Sequence, residues 1–199
     1  MVACHGEEVD SHPKTLRRLA DPGALLATTH RTEGGLLIRP RLTRPSDTPR
    51  VRAFLEALSP QARHLRFLSA MPVVPEPTVR HFAFFDPRKR LVVAATAMAA
   101  GREEIVGLAD LAHLDTGLAE LGVVVDDAHR HAGVGKLLTE VIASLAIHHG
   151  AMHLRAELLE GNRAMLGLMR RLGPTTSSMD GTVMVLHTRL PGVARRRAA

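Results

Sequence analysis

The chain has 199 residues, enough for one domain with some length left for tails. Hydrophobic residues make up 45% and charged residues 23%, the balance of a globular protein with a real core, and the absence of Trp and Tyr excludes a catalytic tyrosine. A net charge of +6 favours an anionic partner, such as a phosphorylated cofactor, a membrane surface or nucleic acid. Nucleic acid is disfavoured, because five Phe and no other aromatic residue cannot build a base-stacking platform and no zinc-finger spacing occurs.

Residues 1–33 read as a polar extension, with a short helix within "PKTLRRLADPGALL". Cys4, the single cysteine, lies there without a catalytic partner. No apolar signal-type core precedes the domain, and the longest apolar run, "LVVAATAMAAG", is too short to span a bilayer. A reducing cytoplasm and no membrane partner are the default expectations. The domain is expected over residues 34–190, followed by a basic tail at 191–199 containing "ARRR".

"GGLLIRP" (34–40) predicts a short strand ended by proline. In "SDTPRVRAFLEAL", Val51, Phe54, Leu55 and Leu58 share a helical face, with Thr48 as the cap and Pro49 in the first turn. Ser59 and Pro60 repeat that start signal. "MPVVPEP" reads as a loop and "TVRHFAFF" as a third helical turn. "RLVVAATAMAA" and "EEIVGLADLAHL" form a hairpin turning at "GR". "LAELGVVV" (118–125) is a third strand.

The strongest helix follows. Val134, Leu137, Leu138, Val141, Ile142, Leu145 and Ala146 form one apolar face, while Lys136, Thr139, Glu140, Ser144 and His148 lie opposite, and Gly150 stops the helix. "MHLRAEL" (152–158) is a strand. Asn162 to Gly173 is a helix with Met165, Leu168, Met169 and Leu172 on one face, and "TVMVLHT" (182–188) is the last strand. The class is α/β (α+β).

Between the strand 118–125 and the long helix lies "RHAGVG", Arg130 to Gly135. A helix N-terminus carries unpaired N–H groups and the positive dipole end, and glycines let a phosphate approach them. A tight turn with no ligand explains the glycines equally well. Two phosphate loops fail on residue identity. A Walker A loop would need glycine where Arg130 stands and Ser or Thr where Leu137 stands, and a dinucleotide loop would need glycine at Leu138.

The pattern R/Q-x-x-G-x-G that does fit, together with "NRAMLGLMRRLG" (162–173), resembles the GNAT superfamily of N-acetyltransferases over about residues 34–190. Three segments are similar to bacterial GNAT protein lysine acetyltransferases that act on acyl-CoA synthetases. They are "LIRPRLTRPSDTPRVRAFLEALSPQARHLRFL", "LAELGVVVDDAHRHAGVGKLL" and "ELLEGNRAMLGLMRRLG". Two residues depart from the pattern: Ala132 stands where a basic residue is common, and Pro174 where an aromatic usually follows "LG".

The resemblance implies a mixed, mostly antiparallel sheet flanked by helices, with acyl-CoA between two splayed strands. It implies acetyl-CoA as cosubstrate, its pyrophosphate over Arg130, His131, Ala132, Gly133, Val134, Gly135 and Lys136. Its pantetheine would run beside the backbone of Val123, Val124 and Val125. Asn162 is either a pantetheine or adenine contact or a plain helix cap.

A lysine amine, with a reference pKa near ~10.4, is neutral in only about one molecule in ~2,500 at pH 7, so a base helps its attack on a thioester. Glu120, alone in an apolar strand, is either a solvent-facing residue or a group in a cleft, and the resemblance implies the role of general base. Burial among Leu118, Ala119 and Leu121 would raise its pKa. Met169 stands where the superfamily often places an acid tyrosine, and reads as a core residue.

His129 with His131, and His148 with His149, lack zinc-type spacing, so no metal is expected. His113 and Asp115 either line the acceptor cleft or are ordinary loop polarity. The expected partner is a protein with an exposed lysine, in keeping with the acyl-CoA synthetases of the resembling branch. A small-molecule amine acceptor and a catalytically weak acyl-CoA sensor remain open alternatives.

Overall fold

The computed structural model describes residues 21–115 and 117–192. Cys4 and the "ARRR" tail lie outside the described residues, as does Thr116. The described elements are α1 (Pro22–Ala27), β1 (His30–Arg31), β2 (Leu37–Leu42), α2 (Thr48–Ala57), α3 (Pro60–Phe67), α4 (Glu76–Ala83), β3 (Arg90–Ala99) and β4 (Arg102–Asp115). They continue with β5 (Leu118–Val125), α5 (Val134–His148), β6 (His153–Leu159), α6 (Arg163–Leu172), β7 (Thr175–Asp180) and β8 (Val183–Arg189).

The eight strands form one sheet in the order β1-β2-β3-β4-β5-β6-β8-β7. Every pairing is antiparallel except β5 with β6. Helices α1, α5 and α6 pack over one face, around a core that includes Ile38, Leu111, Leu138, Ile142, Leu154 and Met169. Helices α2, α3 and α4 cover the other, where Val51, Leu55, Phe82 and Leu108 meet. Strand alternation divides the two cores: along β5, Ala119 and Leu121 point to the α5 side and Val124 to the α2–α4 side.

Several sequence expectations shift. The described part of the segment 1–33 contributes α1 and β1 to this fold, with Leu25 buried in the core and β1 paired to β2. Proline does not end β2: Pro40 pairs with Ala95 and the strand runs on to Leu42. Beyond Ile38, β2 has no β1 partner, so it is an edge strand there, where a missing N–H is tolerated. Helix α2 begins at Thr48 with Asp47 in the cap position, because Asp47 is drawn to Arg41 and the Thr48 hydroxyl donates to Pro45 O. Ser59 caps α3 as expected.

The β3–β4 turn falls on Ala100–Gly101, both with positive φ, and Arg102 is already in β4 paired to Ala99. The face of α5 read as polar is not solvated throughout. Thr139 is 2% and Ser144 0% exposed, because α1 and α6 pack against the helix from outside the sheet. Strand β7 was not anticipated: "TTSSMD" has no apolar period and is held by backbone pairing to β8.

Candidate functional site

Strand β5 pairs with β4 along its whole length but with β6 only at Leu118, Ala119 and Glu120. Beyond Glu120 the two strands part, and β6 stays with β8. The wedge opens a cavity of about 540 Å³. Leu121 to Val125 form one wall, Glu157, Asn162, Met165 and Leu168 line the other side, and His129, Arg130, His131, Gly133, Gly135 and Lys136 close one end. The β5 backbone from Leu121 onward has no strand partner on this side, so it offers hydrogen-bonding groups to a ligand.

The glycine loop meets the start of α5 at Gly133, whose φ of +87° places it in the left-handed region. No side chain caps this helix. The N–H groups of Val134, Gly135 and Lys136 are in the first turn, where no intrahelical carbonyl reaches them. Gly135 lines the cavity. Val134 is only 1% exposed, with its side chain in the core. These features fit a phosphate group.

The side chains near the loop have partners of their own. Arg130 Nη2 lies 2.9 Å from Asp127 Oδ1, and Asp127 in turn accepts from the Ser59 N–H and hydroxyl. His129 Nδ1 pairs with Asp126 at 2.7 Å. Lys136 is paired with Glu33, and His131, with φ +61°, is exposed. Ala132 is explained by packing: the turn 32–35 lies against it, its carbonyl accepts from Gly34 N, and a Cβ on Gly34 would stand 2.9 Å from Ala132 Cα.

Glu120 lies on β5 at the point where the strands separate. The expected burial among Leu118, Ala119 and Leu121 is not found. Ala119 and Leu121 project from the opposite face of the strand, and the Glu120 side chain is 38% exposed and faces the cavity. Its Oε2 accepts from Arg155 Nη1 at 2.9 Å. Arg155 is the register partner of Glu120 on β6 and also holds Glu157.

Asn162 acts as the cap of α6, with Oδ1 accepting from Met165 N at 3.2 Å, and it lines the cavity as well. Met169 is fully buried in the core. His113 does not line the cleft: it sits on the α5 side, its ring 5.2 Å from that of His149. The Asp115 side chain lies outside the described residues. Among the described residues, no group of three or more His, Cys, Asp and Glu is arranged for a metal, and no helix is long and apolar enough to cross a membrane.

One cluster escaped the sequence reading. Asp110 on β4 is 6% exposed and binds Arg66 of α3, Arg90 of β3 and His81 of α4. Arg66 reaches it across β5 at Gly122, the register partner of Asp110, where a Cβ would meet the guanidinium at 2.5 Å. Burial opposes ionisation of Asp110, but the surrounding Arg66, His81 and Arg90 outweigh it and hold its carboxyl below the usual range. The available signal was the one that marked Glu120: "GLADL" places a carboxylate in an apolar strand just as "GLAEL" does.

Comparison with known proteins agrees with this geometry. The Acetyltransferase (GNAT) family model matches residues 53–173. An acetyltransferase of Pseudomonas aeruginosa is 27% identical over 154 residues, covering 76% of this chain and 82% of that one. Among solved structures, the GNAT domain of S. lividans PAT superposes with a TM-score of 0.73 at 25% identity, covering 82% of this chain and 96% of that one. A cAMP-binding acyltransferase from Mycobacterium smegmatis has the same fold at 21% identity and TM-score 0.57, over 94% of this chain and 56% of that one.

Proposed function

Because the chain belongs to the acetyltransferase (GNAT) family, which uses acetyl-CoA, we propose that it transfers acetyl to the side-chain amine of a protein lysine, with Glu120 as general base. One observation carries the reading: a single cavity has the uncapped N-terminus of α5 at one end and Glu120 where β5 and β6 part. The bound thioester supplies the activated acetyl group. The N–H groups of Val134, Gly135 and Lys136 hold the pyrophosphate, and Lys136 adds its charge when it leaves Glu33. The unpaired backbone of Val123 to Val125 aligns the pantetheine arm as a strand would. Asn162 borders that arm.

Arg155 fixes Oε2 of Glu120, and the carboxylate presents Oε1 to the incoming amine. Glu120 then takes the proton the amine must lose, directly or through one water. A core methionine at 169 leaves the thiol without a side-chain acid on α6. An ordinary thiol pKa makes it a competent leaving group without one. The protein acceptor rests on the resemblance of three segments to bacterial protein lysine acetyltransferases.

The test is Glu120→Gln, assayed with acetyl-CoA against a protein lysate and a panel of free amines, with mass spectrometry identifying the acetylated product. Turnover is expected to fall by roughly 10²–10⁴-fold with acetyl-CoA affinity retained, and to recover partly at high pH. Kinetics unchanged within about twofold would remove Glu120 from the chemistry. Products confined to free amines would replace the protein acceptor.

A further inference from the structure

The two sides of the cleft beyond the cofactor loop carry opposite charge. On β6, Arg155 is shared by Glu120 and Glu157, two carboxylates to one guanidinium. Under α3 and α4 the ratio reverses: Arg66 and Arg90 share the one carboxylate of Asp110. His81 completes the group, its Nε2 beside Arg90 Nη1 and 3.4 Å from Asp110 Oδ2. Both groups border the same cavity. A second cavity of about 440 Å³ continues from it beneath α3 and α4, lined by Arg66, His81, Arg90, Asp110 and Glu120, with Phe67 and Phe82 as apolar walls.

The basic side has unused donors. Arg66 gives Nη2 to Asp110, while its Nε is buried with no hydrogen-bond partner. Its guanidinium lies over the Phe67 and Phe82 rings, at 5.3 and 5.5 Å from their centroids, so its plane is fixed without consuming further N–H groups. Arg90 commits Nη1 to Asp110 and His81, and its side chain is 29% exposed toward the opening. A surplus guanidinium charge in a partly desolvated pocket, beside a wall that favours an amine, matches an acceptor with both signs.

We propose that the acceptor presents a carboxylate beside the amine that is acetylated, and that Arg66 and Arg90 recognise this carboxylate. The inference rests on acetyl transfer at Glu120 as proposed above and narrows the acceptor class. Two sources supply that chemistry: a protein lysine flanked by an acidic residue, and a free amino acid.

Two matched acceptor pairs separate them. One is a lysine peptide with flanking Glu against the same peptide with Gln. The other is free lysine against cadaverine, which keeps the amine and lacks the carboxylate. The wild-type protein is expected to favour the acidic member in kcat/KM by roughly tenfold or more, the worth of one charge-assisted hydrogen bond. Preference within the peptide pair assigns a protein lysine, and preference confined to free lysine assigns an amino acid. Arg90→Gln, and separately Arg66→Gln, should bring the preferred ratio toward one, a readout that cancels any loss of folded enzyme. A purely structural role predicts that these variants slow both members equally. Equal or faster turnover of the neutral members by the wild-type protein overturns the inference and leaves acetyl transfer standing. Absence of transfer to all four acceptors overturns the reading beneath it.

Discussion

The Lys136 ammonium, in the first turn of α5, is held by the carboxylate of Glu33 from the N-terminal turn. The hydrogen bond and charge of Lys136 hold the Glu33 carboxyl below its ordinary range, so an anion already stands where the phosphates of acetyl-CoA are proposed to bind. Glu33→Gln removes that competitor and releases Lys136. Acetyl-CoA affinity, measured by calorimetry, should rise roughly two- to fivefold, in line with an exposed ion pair, and the gain should shrink with added salt. A fall in affinity would make Glu33 part of the binding surface instead.

The two loop glycines serve different ends. A Cβ on Gly133 would meet Thr32 Cβ at 3.2 Å and Glu33 N at 3.3 Å, on the side of the N-terminal turn rather than of the cavity. With φ at +87°, Gly133→Ala should cost about 1–2 kcal/mol of stability from the left-handed backbone alone. A Cβ on Gly135 meets only Leu168 Cδ1 at 3.4 Å and Val125 Cγ2 at 3.7 Å, both cavity-lining residues. Gly135→Ala should therefore fold as well as the wild type, or better by about 0.5–1 kcal/mol, and lose acetyl-CoA affinity. Thermal melts paired with calorimetry check both, and loss of affinity without loss of stability in Gly133→Ala would contradict this division.

Much of this architecture was legible because it repeats locally. The apolar face of α5 recurs at helical spacing over Val134 to Ala146, and all seven of its residues are buried. The glycine loop and Glu120 could be read because each breaks a regular background. What could not be read arises between distant segments. Arg66 meets Asp110 across 44 positions, Arg155 meets Glu120 across 35, and Lys136 meets Glu33 across 103. The sequence left open whether Glu120 faces solvent or a cleft for a related reason. Its sequence neighbours Ala119 and Leu121 are its opposites in space, and its real surroundings come from β6. The edge strand β7 carries no side-chain pattern, since its order comes from the β8 backbone.

Asp110 ties β3, β4, α3 and α4 together through one carboxylate. Asp110→Asn keeps the shape but leaves Arg66 and Arg90 facing each other without an anion. Breaking a buried pair in this way typically costs about 3–5 kcal/mol, so chemical denaturation should show a loss of that order. The combination Asp110→Asn with Arg66→Met removes one of the stranded charges and should recover part of it. A single variant as stable as the wild type would mean that solvent reaches the cluster freely.

Stability should fall in two separate steps as the pH is lowered. His149, at the end of α5, has its pKa pushed below the usual 6.5 by partial burial and by the neighbouring His113 and His148. The folded chain therefore binds fewer protons there than the unfolded chain does. Stability is full above about pH 6.5, declines as the pH drops through that value, and levels off below the lowered folded value. The His149 side chain is exposed enough that this step is small. Asp110 contributes to the second step, together with Asp47 and Glu103, whose carboxyls the Arg41 hydrogen bonds hold below their usual range. The folded pKa of Asp110 lies below the unfolded carboxyl value, so its contribution is intact above about pH 4 and is lost as the pH falls through the folded value. Urea midpoints measured from pH 8 to pH 3 should show a shallow decline near 6 and a steep one below 4. His149→Gln should flatten the first without touching the second, and Asp110→Asn should make the second shallower, with a midpoint that is lower near neutral pH and approaches the wild type as the pH falls. A wild-type midpoint that rose on acidification through pH 6 would reverse the sign assigned to His149.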